Sequence, residues 1–263
     1  MKTVSSKDGT TIAFDKEGDG PALILVDGAM GTRASGSKPE LATLLARHFA
    51  VYSYDRRGRG DSGDTKPYTV DREIEDIAAV IDEAGGSAFL FGHSSGGCLA
   101  LDATVKLDGK VGKLAIYEAP YNDDPDAQKV WREYIKNLTE ALAADRRGDA
   151  VALFMALVGL PAARIEEVRH LPFFSGMEAV APTLAYDHTA IMGKDGTIPR
   201  ERAARVHVPT LVMAGGNGLP FMLETARTLS QIIAGAELRV LDGQTHEVDP
   251  KVLAPVLAEF LGS

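Results

Sequence analysis

Short apolar runs alternate with amphipathic stretches along most of the chain. Thr10 to Lys16 switches between apolar and polar residues as a half-buried strand does. Ala22-Leu23-Ile24-Leu25-Val26 is apolar throughout, as a strand covered on both faces must be. Val51 to Tyr54, the run from Ala88 into Gly92, Lys113 to Tyr117, Thr210 to Ala214 and Glu237 to Leu241 read as further strands. Helical spacing separates them. Pro39 to Arg47 gathers Leu41, Leu44 and Leu45 on one face, and Val70 to Ala84 turns Ile74, Ile77, Val80 and Ile81 inward before Gly85-Gly86 stops it. The run after Ser95 to Val105, Met222 to Ile233 and Pro250 to Leu261 complete the set. This alternation predicts βαβ crossovers and an α/β fold, with a mainly parallel central sheet flanked by helices.

Between residues 121 and 205 the alternation stops. Asp126 to Ala144, Asp149 to Val158, Ala162 to His170 and Met177 to Met192 all carry a helical pattern, punctuated by prolines at 161, 172, 182 and 199. The pattern predicts a helical cap over 121–205, inserted into a core formed by 1–120 and 206–263.

Composition narrows the picture modestly. A net charge of -9 argues against non-specific binding to nucleic acid or anionic lipid, which needs a basic face. The single cysteine, Cys98, forbids an internal disulfide and reads as a small buried hydrophobe. MKTVSSKDGTTIAF has no apolar stretch of signal-peptide length, and Ala150 to Leu160 is far short of the ~20 residues that span a bilayer. The expectation is a cytoplasmic monomer or homodimer with no membrane or nucleic-acid partner.

The densest chemical signal is Gly92-His93-Ser94-Ser95-Gly96, with a strand before it and a helix after. A G-x-S-x-G segment in that setting forces the central serine into a strained strand-to-helix turn and holds its hydroxyl clear of the sheet. Ser94 is the expected nucleophile. A serine hydroxyl needs a base beside it, itself oriented by a third group. His246 stands in the loop after the last strand, in Gly243-Gln244-Thr245-His246, and is the expected base. His93 is expected to pack or hydrogen-bond, and His48, His170, His188 and His207 have no motif around them. No histidine pair has metal-site spacing, so neither metal nor cofactor is expected.

These segments, with Asp27-Gly28 after the third strand and the loop Asp55-Arg56-Arg57-Gly58-Arg59-Gly60-Asp61-Ser62-Gly63, resemble the α/β-hydrolase superfamily over nearly the whole chain. Most members place the acid after the strand that follows the cap. Here that segment reads Ala214-Gly215-Gly216-Asn217-Gly218-Leu219-Pro220, with no carboxylate. A minority takes a glutamate from the end of the strand after the elbow helix, and Tyr117-Glu118-Ala119-Pro120 supplies one. In this respect the chain is similar to the fungal zearalenone lactonases and to small bacterial serine hydrolases. The resemblance implies Glu118 as the acid, with Asp123 and Asp124 as loop competitors. It implies an oxyanion hole from the backbone amide of Ser95 and one from the loop at Gly28 or Ala29. Asp27 departs from the family pattern, and because a charge beside such a hole is unfavourable it is expected to turn toward its own loop's amides. It also makes Arg56, Arg57 and Arg59 mostly structural, with Asp55 and Asp61 as internal partners.

The expected activity is hydrolysis of an uncharged carboxylic ester or lactone through a serine acyl-enzyme. Phe154, Met155, Phe173, Phe174, Met177, Phe221 and Met222 are candidates for an apolar pocket under the cap. Carbon–carbon bond hydrolysis and cofactor-free perhydrolysis use the same triad and stay open. So does a non-catalytic ligand-binding protein, motivated by the missing acid near 218.

Overall fold

The computed structural model describes residues 1–262. Eight strands form one sheet: β1 (Lys2–Ser5), β2 (Thr11–Glu17), β3 (Ala22–Val26), β4 (Ala50–Tyr54), β5 (Ala88–His93), β6 (Val111–Tyr117), β7 (Thr210–Gly215) and β8 (Glu237–Leu241). Their order is β1-β2-β4-β3-β5-β6-β7-β8. β1 pairs antiparallel with β2 and β2 with β4 at one edge, and the six strands β4-β3-β5-β6-β7-β8 run parallel. β1 is mostly exposed and carries no strong hydrophobic alternation, which is why the sequence pattern passes over it.

Helices cover both faces. α2 (Val70–Glu83), α3 (Ser95–Lys106) and α9 (Pro220–Ile232) pack on one side, where Ile77, Leu99, Ala226 and Leu229 meet Ile24, Leu90, Leu114 and Val212. α1 (Lys38–Leu45) and α10 (Pro250–Gly262) cover the other, burying Leu45, Leu253 and Leu257 against Leu23, Phe91, Ala115 and Met213. Each fully buried Leu, Ile, Val, Met or Phe side chain among these contributes about 1.5–3 kcal/mol.

The connection from β6 to β7 holds α4 (Pro125–Ala143), α5 (Arg147–Leu157), α6 (Ala162–Arg169), α7 (Phe174–Val180) and α8 (Arg200–Ala203). These helices build a third apolar cluster around Tyr134, Leu138, Val151, Met155, Phe174 and Leu184. The helical pattern from Met177 to Met192 does not form one helix. Pro182 cannot donate to the helical ladder, so α7 passes into a 3-10 turn at Ala181–Thr183 and then a π-helical turn at Tyr186–Ile191.

In a parallel sheet, ligands bind beyond the carboxyl ends of the strands. Here the ends of β3, β5, β6 and β7 lead into the segments beginning at Asp27, Ser94, Glu118 and Gly216.

Candidate active site

Ser94 has φ +56° and ψ -133°, a backbone state that costs a non-glycine residue about 1–3 kcal/mol. It persists because its surroundings leave no alternative. Ser94 N–H donates to the Tyr117 carbonyl at 2.9 Å, tying the turn to β6. A Cβ on Gly92 would meet Gly97 Cα at 2.5 Å, and one on Gly96 would collide with the Val26 carbonyl. Glycine is therefore required on both sides of the serine.

Glu118 follows the last residue of β6 with φ +49°, held by its N–H donating to the Met213 carbonyl at 3.0 Å. Its carboxylate is buried. Oε1 accepts from the Gly215 amide at 2.8 Å, and Oε2 accepts from His246 Nδ1 at 2.8 Å. A carboxylate can only accept, so the proton sits on Nδ1 and leaves Nε2 as the basic nitrogen. The histidine loop is fixed by further bonds. Tyr117 hydroxyl donates to the Thr245 carbonyl at 2.5 Å, and His93 Nε2 donates to the His246 carbonyl at 3.0 Å. His93 thus hydrogen-bonds rather than reacts, and burial lowers its pKa to about 4. Asp123 pairs with Arg200 and Asp124 caps α4, so neither loop acid reaches His246.

The loop after β3 crosses directly over the nucleophile. A Cβ on Gly28 would lie 3.4 Å from Ser94 Oγ and 2.9 Å from its Cβ. Gly28 N–H donates to Asp27 Oδ1 at 2.8 Å, so the turning-in of Asp27 has a consequence: that amide is taken. Ala29 and Ser95 are left as the amides of the predicted set with no protein acceptor among the described residues. Lys38 pairs with the other face of Asp27 and neutralises it.

The loop arginines are structural, but their partners differ from those expected. Asp55 and Asp61 pair with Arg33. Arg57 is bidentate to Asp76. Arg56 is bidentate to Glu73 at 2.7 Å, and it also donates to Asp187 at 2.5 Å and to the Asp27 carbonyl at 3.0 Å. Arg59 pairs with Asp187 and donates to the Gly28 carbonyl at 2.5 Å. Asp187, from the π-helical turn, also accepts from Ser95 Oγ at 2.7 Å. Burial alone would push its carboxyl up; the Arg56 and Arg59 guanidiniums overcome this and hold it well below the usual carboxylate range. One buried carboxylate therefore ties both walls of the space over Ser94. Nothing in the sequence marks Asp187, because a lone aspartate in a helical run carries no motif.

The cavity above Ser94 has a volume of about 800 Å³ and is lined by Ser94, His93, His246 and the 27–31 loop. Phe154, Phe221 and Met222 line it as expected. Met155, Phe174 and Met177 instead pack in the core of the inserted helices, and Phe173 is exposed. Trp131, Met192 and His188, not among the expected residues, line it as well. Cys98 is buried behind the elbow, with Sγ 3.9 Å from the Ser94 carbonyl. No helix among the described residues is long and apolar enough to cross a membrane.

A sheet of this topology with a strained serine at the end of its fifth strand is an α/β-hydrolase scaffold. Comparison with known proteins agrees. The model of the alpha/beta hydrolase family matches residues 29–256. The structure of an alpha/beta hydrolase from Sphaerobacter thermophilus DSM 20745 is 49% identical, with a TM-score of 0.85 over 99% of this chain and 100% of that one. A relative from Azorhizobium caulinodans, provisionally named carbamate hydrolase RutD, is 28% identical over 251 residues, 91% of each chain. The enol-lactonase from Burkholderia xenovorans LB400 shares the fold, at 21% identity and a TM-score of 0.72 over 100% of both chains. The chain belongs to the alpha/beta hydrolase family, and it is an enzyme of that family.

Proposed function

We propose that the protein hydrolyses an uncharged carboxylic ester or lactone through an acyl-enzyme on Ser94. The observation that carries this reading is the 2.8 Å bond from His246 Nδ1 to the buried Glu118 carboxylate, with His246 lining the same cavity as Ser94. Ser94 Oγ attacks the carbonyl carbon while His246 Nε2 takes its proton. Glu118 stabilises the resulting imidazolium without itself becoming protonated. The oxyanion forming on the substrate accepts from the amides of Ala29 and Ser95, each worth about 3 kcal/mol at the transition state. Collapse expels the alcohol, which receives the His246 proton. Water then attacks the acyl carbon with His246 as base, releasing the acid and restoring the serine. In a lactone the acid and alcohol leave as one hydroxy acid. Residues 121–205 act as a cap over a core of 1–120 and 206–263, and an apolar cavity of this kind favours a neutral substrate.

The test is incubation with a fluorophosphonate probe, followed by mass mapping and a panel of neutral esters, lactones and carbamates. Labelling at Ser94 with turnover of an ester or lactone is the expected result. An unlabelled serine in folded protein would overturn the acyl-enzyme reading.

A further inference from the structure

His188 is 4% exposed, lies in the π-helical turn and lines the cavity. Three aromatic rings enclose it: Trp131 at 5.3 Å, Tyr134 at 5.4 Å and Phe154 at 5.5 Å between centroids. One ring nitrogen is committed, since Nδ1 lies 2.7 Å from the Tyr134 hydroxyl. Among the described residues Nε2 has no hydrogen-bond partner, and its neighbours do not seal it off. A nitrogen left unpaired in an aromatic box, on the wall of a cavity, is a polar group waiting for a ligand.

Which proton it carries follows from satisfaction. Tyr134 is buried, and burial raises its pKa, so the phenol stays protonated. Its O–H has one possible acceptor, His188 Nδ1. Were Nδ1–H to donate instead, the phenol hydrogen would be buried without an acceptor, at a cost of about 1–3 kcal/mol. Tyr134 therefore donates, and the single proton of the neutral imidazole sits on Nε2. Burial lowers the His188 pKa to about 4 against the opposing pull of Asp187, so the ring is neutral at physiological pH. The groups facing it are uncharged rings, apart from Asp187, whose charge is committed to Arg56 and Arg59.

We infer that His188 is a specificity residue, whose Nε2–H donates to a neutral acceptor oxygen on the substrate, separate from the carbonyl attacked by Ser94. The preferred substrate is then an apolar, ring-bearing ester or lactone with a second carbonyl or ether oxygen. A purely hydrocarbon substrate leaves this donor unpaired and is disfavoured. A carboxylate is disfavoured too, because it would leave water for a site whose nearby positive charges are already neutralised. The inference rests on reading the cavity above Ser94 as the substrate site.

The test avoids chemistry at the nucleophile. Ser94→Ala protein is titrated with 1-tetralone and with tetralin, a ketone and hydrocarbon of matched shape. Calorimetry and the fluorescence of Trp131, the chain's one tryptophan, report binding. The ketone should bind about fivefold tighter, as expected of one neutral hydrogen bond. Adding His188→Phe should remove that advantage while tetralin affinity stays within about twofold. On protein with ¹⁵N-labelled histidine, His188 should appear as the Nε2–H tautomer, and its Nε2 resonance should move with tetralone and not with tetralin; this readout needs no variant at 188. A ketone advantage that survives His188→Phe would assign the acceptor to the oxyanion amides and overturn the inference. So would an Nδ1–H tautomer, or equal binding of the two ligands. Fluorophosphonate labelling of the wild-type chain reports on Ser94 separately. Labelled Ser94 without a His188-dependent preference overturns this inference alone, whereas a His188-dependent preference in a chain that does not label leaves it standing and removes the acyl-enzyme.

Discussion

Glu118 fills the space that a side chain at residue 218 would need. A Cβ built on Gly218 would lie 2.5 Å from Glu118 Oε1, the oxygen that accepts the Gly215 amide. A side chain at 218 and the glutamate at 118, the proposed acid, therefore converge on one spot beside His246. Glycine at 218 is the complement of the glutamate at 118.

Substitution of Gly218 should be costly. Gly218→Ala would have to displace a carboxylate pinned by Gly215 and His246. We expect kcat to fall about tenfold or more, since small misplacements of catalytic groups have large effects. Asn217→Ala, by contrast, should stay within about threefold. Steady-state kinetics on both variants decides the matter, and near-wild-type activity of Gly218→Ala would argue against a tightly held acid.

Glu118→Gln keeps the shape and loses the charge that stabilises the imidazolium in the proposed mechanism. The comparable change in a serine protease lowers kcat about 10⁴-fold, so a loss of at least ~100-fold is expected. Glu118→Ala combined with Gly218→Asp frees the space and returns an acid to it. Partial recovery over Glu118→Ala alone would establish that the two positions serve the same histidine. Full activity of Glu118→Gln would remove Glu118 from the mechanism.

Ser94→Ala should abolish turnover and fluorophosphonate labelling while the thermal midpoint stays near that of wild type, because the serine backbone is strained in either case. Activity above a tenth of wild type would point to another nucleophile.

Asp187→Asn tests the tie between the inserted helices and the elbow. The variant leaves Arg59 buried without a carboxylate partner, so stability should fall by about 3–5 kcal/mol. Among molecules that remain folded, kcat should drop by about tenfold with KM little changed, since in the proposed mechanism the Gly28 loop and Ser95 frame the developing oxyanion rather than the bound substrate. A raised KM with unaltered kcat would reassign Asp187 to substrate binding. For the same reason, deletion of 121–205 should not yield a folded core of relaxed selectivity. It strips Asp187 from buried Arg59 and leaves Arg56 with Glu73 alone, and should give aggregated or unfolded protein in a circular-dichroism melt.

The buried neutral His188 should also leave a mark on stability. Its pKa of about 4 lies below the unfolded value of 6.5. Between these values the unfolded chain binds the extra proton, so this group's contribution falls as pH drops through 6.5 toward 4. The limit is one proton, about 1.4 kcal/mol per pH unit. His188→Phe lacks that slope, so the stability gap between wild type and variant should narrow over this range in urea titrations. A constant gap would mean that His188 titrates normally.

Local chemistry was legible along the chain. The strand, glycine spacing and helix around Ser94 dictate the turn, because steric limits on a few neighbouring residues decide it. The alternation of strands and helices dictates a parallel sheet, and the absence of an acid near 218 leaves Glu118 as the carboxylate at a strand end. What the sequence could not show are relations between distant residues. Ser95 and Asp187 are 92 positions apart, and they meet only because Pro182 breaks a helix and a π-helical turn follows. That turn sends one residue into the charged network below and the next to the cavity wall. Gly28 likewise reads as a free amide until Asp27 folds back onto it. Hydrophobic pattern sets which faces are buried, but which polar atoms are paired is decided when the elements dock.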